Sequence, residues 1–158
     1  MRGLCGYHRA QVARCADLAR AYWSRALNLA AQAEHRSDWR TAHQAYACAF
    51  DIAKLRRHDG ERGLLSVFNE TQLVTTAQRW IALSQAGQYS QEAVDAMWFT
   101  YRHVSEKMMA PLTCDRRADL NSQLNKLEPY VANQSIDEQE SWLKNSDTHE
   151  IYVSRYLH

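Results

Sequence analysis

Between Tyr22 and Ala53 small side chains recur on a helical period that is interrupted once, at Ser37-Asp38-Trp39. The run reads Leu27-Asn28-Leu29-Ala30-Ala31-Gln32-Ala33, then the polar turn, then Ala42, Ala45, Tyr46, Ala49 and Ala53. Alanine adds little bulk beyond its Cβ, so two such helices joined by a tight turn can approach closely and pack antiparallel. This constrains the chain to an all-α fold built on antiparallel helical hairpins. Composition agrees: five Gly and two Pro in 158 residues leave too few turn signals for a β-sandwich, and the length suits one helical domain.

The periodicity predicts five or six main helices. A first helix is expected from about Tyr7 to Glu34, with Val12, Cys15, Ala19, Tyr22, Ala26, Leu29 and Ala33 on its apolar stripe and Arg9, Arg14, Arg20 and Arg25 in solvent. Ser37 and Asp38 supply turn and N-cap chemistry for a second, with Trp39, Ala42, Tyr46, Ala49 and Ala53 as its stripe, completing a hairpin over 7–57. Asn69 followed by Gln72 reads as a capping box opening a third, with Leu73, Val74, Ala77, Trp80 and Ile81 inside and a stop at Gly87. Ser90 caps a fourth, with Met97, Tyr101, Val104 and Met108, so a second hairpin spans 69–110. C-terminal helices are expected over 113–145. One starts near Thr113, carries Leu120, Leu124 and Leu127 and ends before Pro129; a short one opens on the capping box Ser135 and Glu138 and carries Ile136, Trp142 and Leu143. The tail, 146–158, is apolar without a clear period.

Charge argues against a global electrostatic role. The formal net charge is +1, although residues 1–66 carry eleven Lys/Arg against six Asp/Glu and residues 67–158 eight against twelve. Cys5, Cys15, Cys48 and Cys114 form no CxxC pair, which excludes zinc-ribbon and thioredoxin-like signatures, and they read as small buried hydrophobes in a reducing compartment. No apolar run has the length of a signal peptide or a membrane span, so a soluble, cytoplasmic protein is expected.

The sequence holds no signature of catalysis. The seven histidines show no i, i+4 pair, His149-Glu150 lacks the second His of HExxH because position 153 is Val, and GxGxxG, phosphate-loop and GxSxG patterns are missing. No enzyme activity, metal or cofactor is expected.

Residues 23–56 resemble a tetratricopeptide (TPR) unit, a helical hairpin of about 34 residues. The matching residues are Leu29, Ala30, the acidic-aromatic turn Asp38-Trp39, and Ala42, Tyr46 and Ala49. A weaker echo lies at Gly87-Gln88-Tyr89 with Ala93, Ala96 and Met97. The resemblance implies that the first helix lines a concave face with Ser24, Leu27, Ala31, Glu34 and His35. Leu27 and Ala31 stand where the chaperone-binding members carry a Lys/Asn carboxylate clamp, which makes a mixed apolar groove for a helix or extended peptide the expected surface.

Trp98-Phe99 is a second candidate contact. Adjacent helical residues point about 100° apart, so burying both needs cover on a broad front, from a partner or a second copy. The expected function is protein–protein interaction by an adaptor, regulator or chaperone that holds a partner segment in a helical groove, with homo-oligomerisation open. The competing readings are a nucleic-acid-linked regulator using the N-terminal arginines and a self-associating structural protein.

Overall fold

The computed structural model describes residues 4–57 and 68–133, and among these the fold is all-helical. Seven helices follow in order: α1 (Gly6–Arg14), α2 (Ala16–His35), α3 (Trp39–Arg56), α4 (Glu70–Gln85), α5 (Gln91–Met108), α6 (Cys114–Asn125) and α7 (Glu128–Val131). Neighbours in sequence pack side by side, α2 against α3 most extensively, then α4 against α5 and α3 against α4. The short connections from α2 to α3 and from α4 to α5 make each of these pairs antiparallel. The short helix expected to open at Ser135 and the tail lie outside the described residues.

Helices α3 to α6 each start where a side chain takes up free backbone N–H groups, whereas Cys15 at the start of α2 makes no side-chain cap. Asp38 Oδ1 accepts from Thr41 N at 3.1 Å, and Thr113 Oγ1 accepts from Arg116 N at 3.3 Å. At α4 the capping box forms: Asn69 Oδ1 accepts from Thr71 N at 2.7 Å, while Asn69 N donates to Gln72 Oε1 at 2.9 Å. Ser90 caps α5 and is itself positioned by Ser84, whose Oγ accepts from Ser90 N at 2.8 Å. The ends are equally defined. Gly87 follows α4 with φ +101°, which glycine adopts without steric cost, and Ser37 leaves α2 at φ +56°, a left-handed conformation an L-residue adopts only at a cost.

The long first helix expected from the sequence is two helices. Cys15 breaks it in an extended conformation, φ −130° and ψ 114°, although no Gly or Pro marks the place. The break lets Val12 meet Ala19, Ile52 and Phe68 in a small core of its own. Arg56, buried on α3, fixes the geometry by donating from Nη1 to the carbonyl of Ala13 at 2.8 Å, placing a cation and a donor at the C-terminal end of α1. Pro129 also departs from expectation: α6 ends at Asn125, and Pro129 lies in the first turn of α7, where its missing N–H costs nothing.

The larger core joins α2 to α6 and rests on alanine. Ala30, Ala42, Ala49, Ala77 and Ala93 have no exposed surface. Aromatic rings fill the space between hairpins: Phe50 of α3 meets Trp80 of α4 and Phe99 of α5 at centroid distances of 6.1 and 6.0 Å. Two indoles find acceptors across the layers. Trp23 donates to Thr76 at 3.0 Å and Trp80 to His43 at 2.9 Å.

One buried carboxylate ties three helices. Glu70, 2% exposed in the first turn of α4, accepts from Lys107 at the end of α5 and from Arg116 Nη2 of α6 at 2.5 Å. Burial alone raises a carboxyl pKa, but the hydrogen bonds from Lys107 and Arg116 outweigh it and hold Glu70 below its ordinary range. Gln123 of α6 adds a contact to Thr71 at 3.2 Å.

Glu70→Gln should lower unfolding free energy at pH 7 by about 1.5–3 kcal/mol, the range for hydrogen bonds to charged groups. Because the folded carboxyl pKa is depressed, its contribution is complete above the unfolded value near 4.3 and is lost as pH falls through the folded value. Denaturant melts at pH 7 and pH 3 should therefore show the gap between variant and wild type closing in acid. Ala49→Leu should overpack the core and cost about 1–3 kcal/mol, whereas a change within about 0.5 kcal/mol in the same melts would mean that the site yields.

Candidate functional site

The rotation of α2 divides its residues sharply. At about 100° per residue, Ala19, Trp23, Ala26, Leu27, Ala30, Ala33 and Glu34 fall in an arc of about 120° that faces the fold. All are buried or partly buried. Ser24, Ala31 and His35 lie on the adjoining arc and are exposed, as are Leu18 and Leu29, which share a line about 20° wide on the far side of the open surface. Cys15, Tyr22 and Leu29 sit about 40° outside the buried heptad series Ala19, Ala26, Ala33. This explains why Leu29, expected inside, is 48% exposed.

The expected concave face is thus only partly present. Leu27 does not line an open surface: it is 6% exposed and belongs to the main core, because its direction lies at the edge of the buried arc. Glu34 is partly buried and accepts a hydrogen bond from the Tyr46 hydroxyl of α3. Burial, then the bond to the Glu34 carboxylate, pushes the Tyr46 phenol well above its ordinary range, so this pair locks the hairpin near its turn. Ser24, Ala31 and His35 remain as a small, open, polar-to-apolar strip beside it.

Trp98 and Phe99 are covered from within the chain. Trp98 is buried and meets Tyr101 edge-on at 6.2 Å. Phe99 packs on Phe50, stacks on His103 at 6.2 Å with rings 7° apart, and carries Lys54 Nζ at 4.1 Å from its centroid. The broad cover that two adjacent aromatic residues need comes from α3 and α5 themselves, not from a second molecule.

The cysteines differ from expectation as well. Cys5 and Cys114 are exposed, and Cys15 and Cys48 only partly buried, because three of them stand at or beside helix ends, where the chain meets solvent. Burial pushes the Cys48 thiol above its ordinary range, and Asp51 adds to the shift. Cys5 Sγ lies 3.0 Å from His8 Nδ1 on the exposed start of α1. Among the described residues no three His, Cys, Asp or Glu side chains gather as a metal site requires. No helix among them is long and apolar enough to cross a membrane.

The basic side chains missed as a pair by sequence reading are Lys54 and Arg57, which meet over the Phe99 ring. Lys54 and Arg57 belong to α3 or its C-terminal cap and Phe99 to α5, so only the folding of α3 against α5 brings them together. No protein-family model, curated protein or solved structure matches the chain.

The two sides of α2 give a direct check. Leu27→Asp should cost at least about 3 kcal/mol, since it removes core volume and buries a carboxylate, whereas Ala31→Asp, four residues on, should stay within about 0.5 kcal/mol. Thermal melts of the two variants compare them; similar destabilisation by both would place Ala31 inside the fold.

Proposed function

We propose that the protein is a binding module rather than an enzyme, a TPR-like adaptor, regulator or chaperone that engages another protein through the outer surface of α2. The observation that carries this reading is the open arc of α2. Ser24, Ala31 and His35 follow one another at spacings of seven and four residues, and Leu18 and Leu29 add exposed apolar area to the same helix. Small residues at Ser24 and Ala31 let a partner backbone come close, while Leu29 offers a side chain whose burial is worth about 1.5–3 kcal/mol. A partner that wraps the open surface of α2 would take polar contact from His35 on one edge and apolar contact from Leu18 and Leu29 on the other.

The hairpin beneath is suited to such a role. The alanine-lined core and the Glu34–Tyr46 bond hold α2 against α3, so a partner would meet a preformed surface and less binding energy would be spent on ordering it.

A photo-cross-linking residue in place of Ala31 should capture a protein partner in native cells, and the same residue in place of Gln44, exposed on α3, should not. Leu29→Asp should reduce recovery of that partner at least about tenfold, which corresponds to about 1.4 kcal/mol, with an unchanged melting temperature. Equal capture at both positions would remove the α2 surface from consideration, and adducts of the protein with itself would favour self-association.

A further inference from the structure

Helix α1 is held lightly. Of its nine residues only Val12 is buried, in a seat formed with Ala19 of α2, Ile52 of α3 and Phe68 just ahead of α4. The second hold is Arg56, whose Nη1 donates to the carbonyl of Ala13 at 2.8 Å.

The chain turns between α1 and α2 at one extended residue, Cys15, which gives α2 no side-chain cap. Cys15 N donates to the carbonyl of Gln11 at 3.1 Å and Ala19 N to that of Cys15 at 3.0 Å, so the amides without a helical acceptor are those of Ala16, Asp17 and Leu18. In a straight helix these three would meet the carbonyls of Val12, Ala13 and Arg14, four residues back. The sequence favours that form. Val12, Cys15, Ala19, Tyr22 and Ala26 keep spacings of three and four through the break, and neither Gly nor Pro lies between Tyr7 and His35. The bend is therefore imposed by the seat, against the local preference of the chain.

We propose that α1 is an exchangeable arm: it leaves its own seat by straightening into one helix with α2 and takes the same seat on a second copy, which returns its own α1. The contacts with the seat are alike whether α1 comes from the same chain or from the other, so they cancel in the comparison and the hinge decides the balance. There each chain gains three backbone hydrogen bonds, set against the freedom lost when two molecules become one. The bent monomer therefore prevails in dilute protein and the exchanged dimer grows with concentration. The Ala13 carbonyl serves both roles, since its oxygen has two lone pairs, one for Asp17 N–H and one for the guanidinium of the seat. A second copy is the occupant because the seat fits a buried valine followed by a carbonyl within reach of Arg56, and every copy carries that pair.

The test is sedimentation equilibrium of the full chain in reductant, which prevents disulfides through the exposed Cys5 and Cys114. The wild type should show a monomer and a dimer, with the dimer fraction rising with concentration. Ala16→Pro locks the bend: proline is at home in the first position of α2, and Cys15 already has the extended conformation favoured before proline. In a straight helix the same proline lacks the N–H for Val12 and clashes with its carbonyl, so the dimer association constant should fall at least about a hundredfold while the melting temperature of the monomer is kept. Two glycines inserted between Cys15 and Ala16 relax the hinge and should also leave a monomer, which decides the matter if the proline variant folds poorly. A diazirine side chain in place of Gln11 should join two chains on irradiation of the dimer and react only within the chain in the monomer. A monomer at every concentration would overturn the proposal. So would a dimer that persists in both hinge variants, or one whose Gln11 adducts are all within a chain.

Discussion

Everything in this fold depends on how closely α2 and α3 can approach. With Ala26, Ala30 and Ala33 on one helix and Ala42, Ala45 and Ala49 on the other, all buried, the bulk that ordinarily separates helix axes is missing. The remaining large side chains of α3 then point elsewhere. Phe50 reaches Trp80 and Phe99, and Ile52 joins Val12, Ala19 and Phe68 in the smaller core. The helix therefore serves both cores at once, and the hairpin is the frame on which α1, α4 and α5 are laid.

Polar contacts then fix what apolar packing leaves loose. Alanine-rich surfaces are smooth, and a smooth contact specifies register weakly. The Tyr46–Glu34 bond sets the α2–α3 register near the turn, Trp80–His43 sets α4 against α3, and Trp23–Thr76 links α2 to α4. Glu70 performs the same service for α4, α5 and α6 by holding Lys107 and Arg116 together. Such a buried ion group adds little net stability compared with an apolar replacement, but removing one member leaves the others poorly compensated.

Local signals were readable in the sequence and distant ones were not. Asp38, Asn69 with Gln72, Ser90 and Thr113 mark helix starts through contacts only two or three residues long, so their chemistry is visible in the chain itself. The buried stripes of α3, α4 and α5 follow from periodicity in the same way. The break at Cys15 is different, because it depends on Arg56, 43 residues away from the Ala13 carbonyl it meets. The burial of Leu27 and exposure of Leu29 turn on a rotation of about 200° between them, which spacing alone left unresolved for a helix with small residues on several sides. For the candidate surfaces, Ser24, Ala31 and His35 were legible as an open strip. The meeting of Lys54 and Arg57 at Phe99 was not, since it requires the α3–α5 packing.

A surface strip on α2 can serve recognition only if the hairpin beneath it is rigid. Native-state hydrogen exchange followed by NMR measures this most directly. Amides from Ala45 to Ala53 on α3, and those of α2 facing them, should exchange only through global unfolding. Amides of α1, beyond the break at Cys15, should open at a distinctly lower free energy. Exchange of the α3 amides by local opening, or exchange of α1 and α2 as a single cooperative unit, would contradict it.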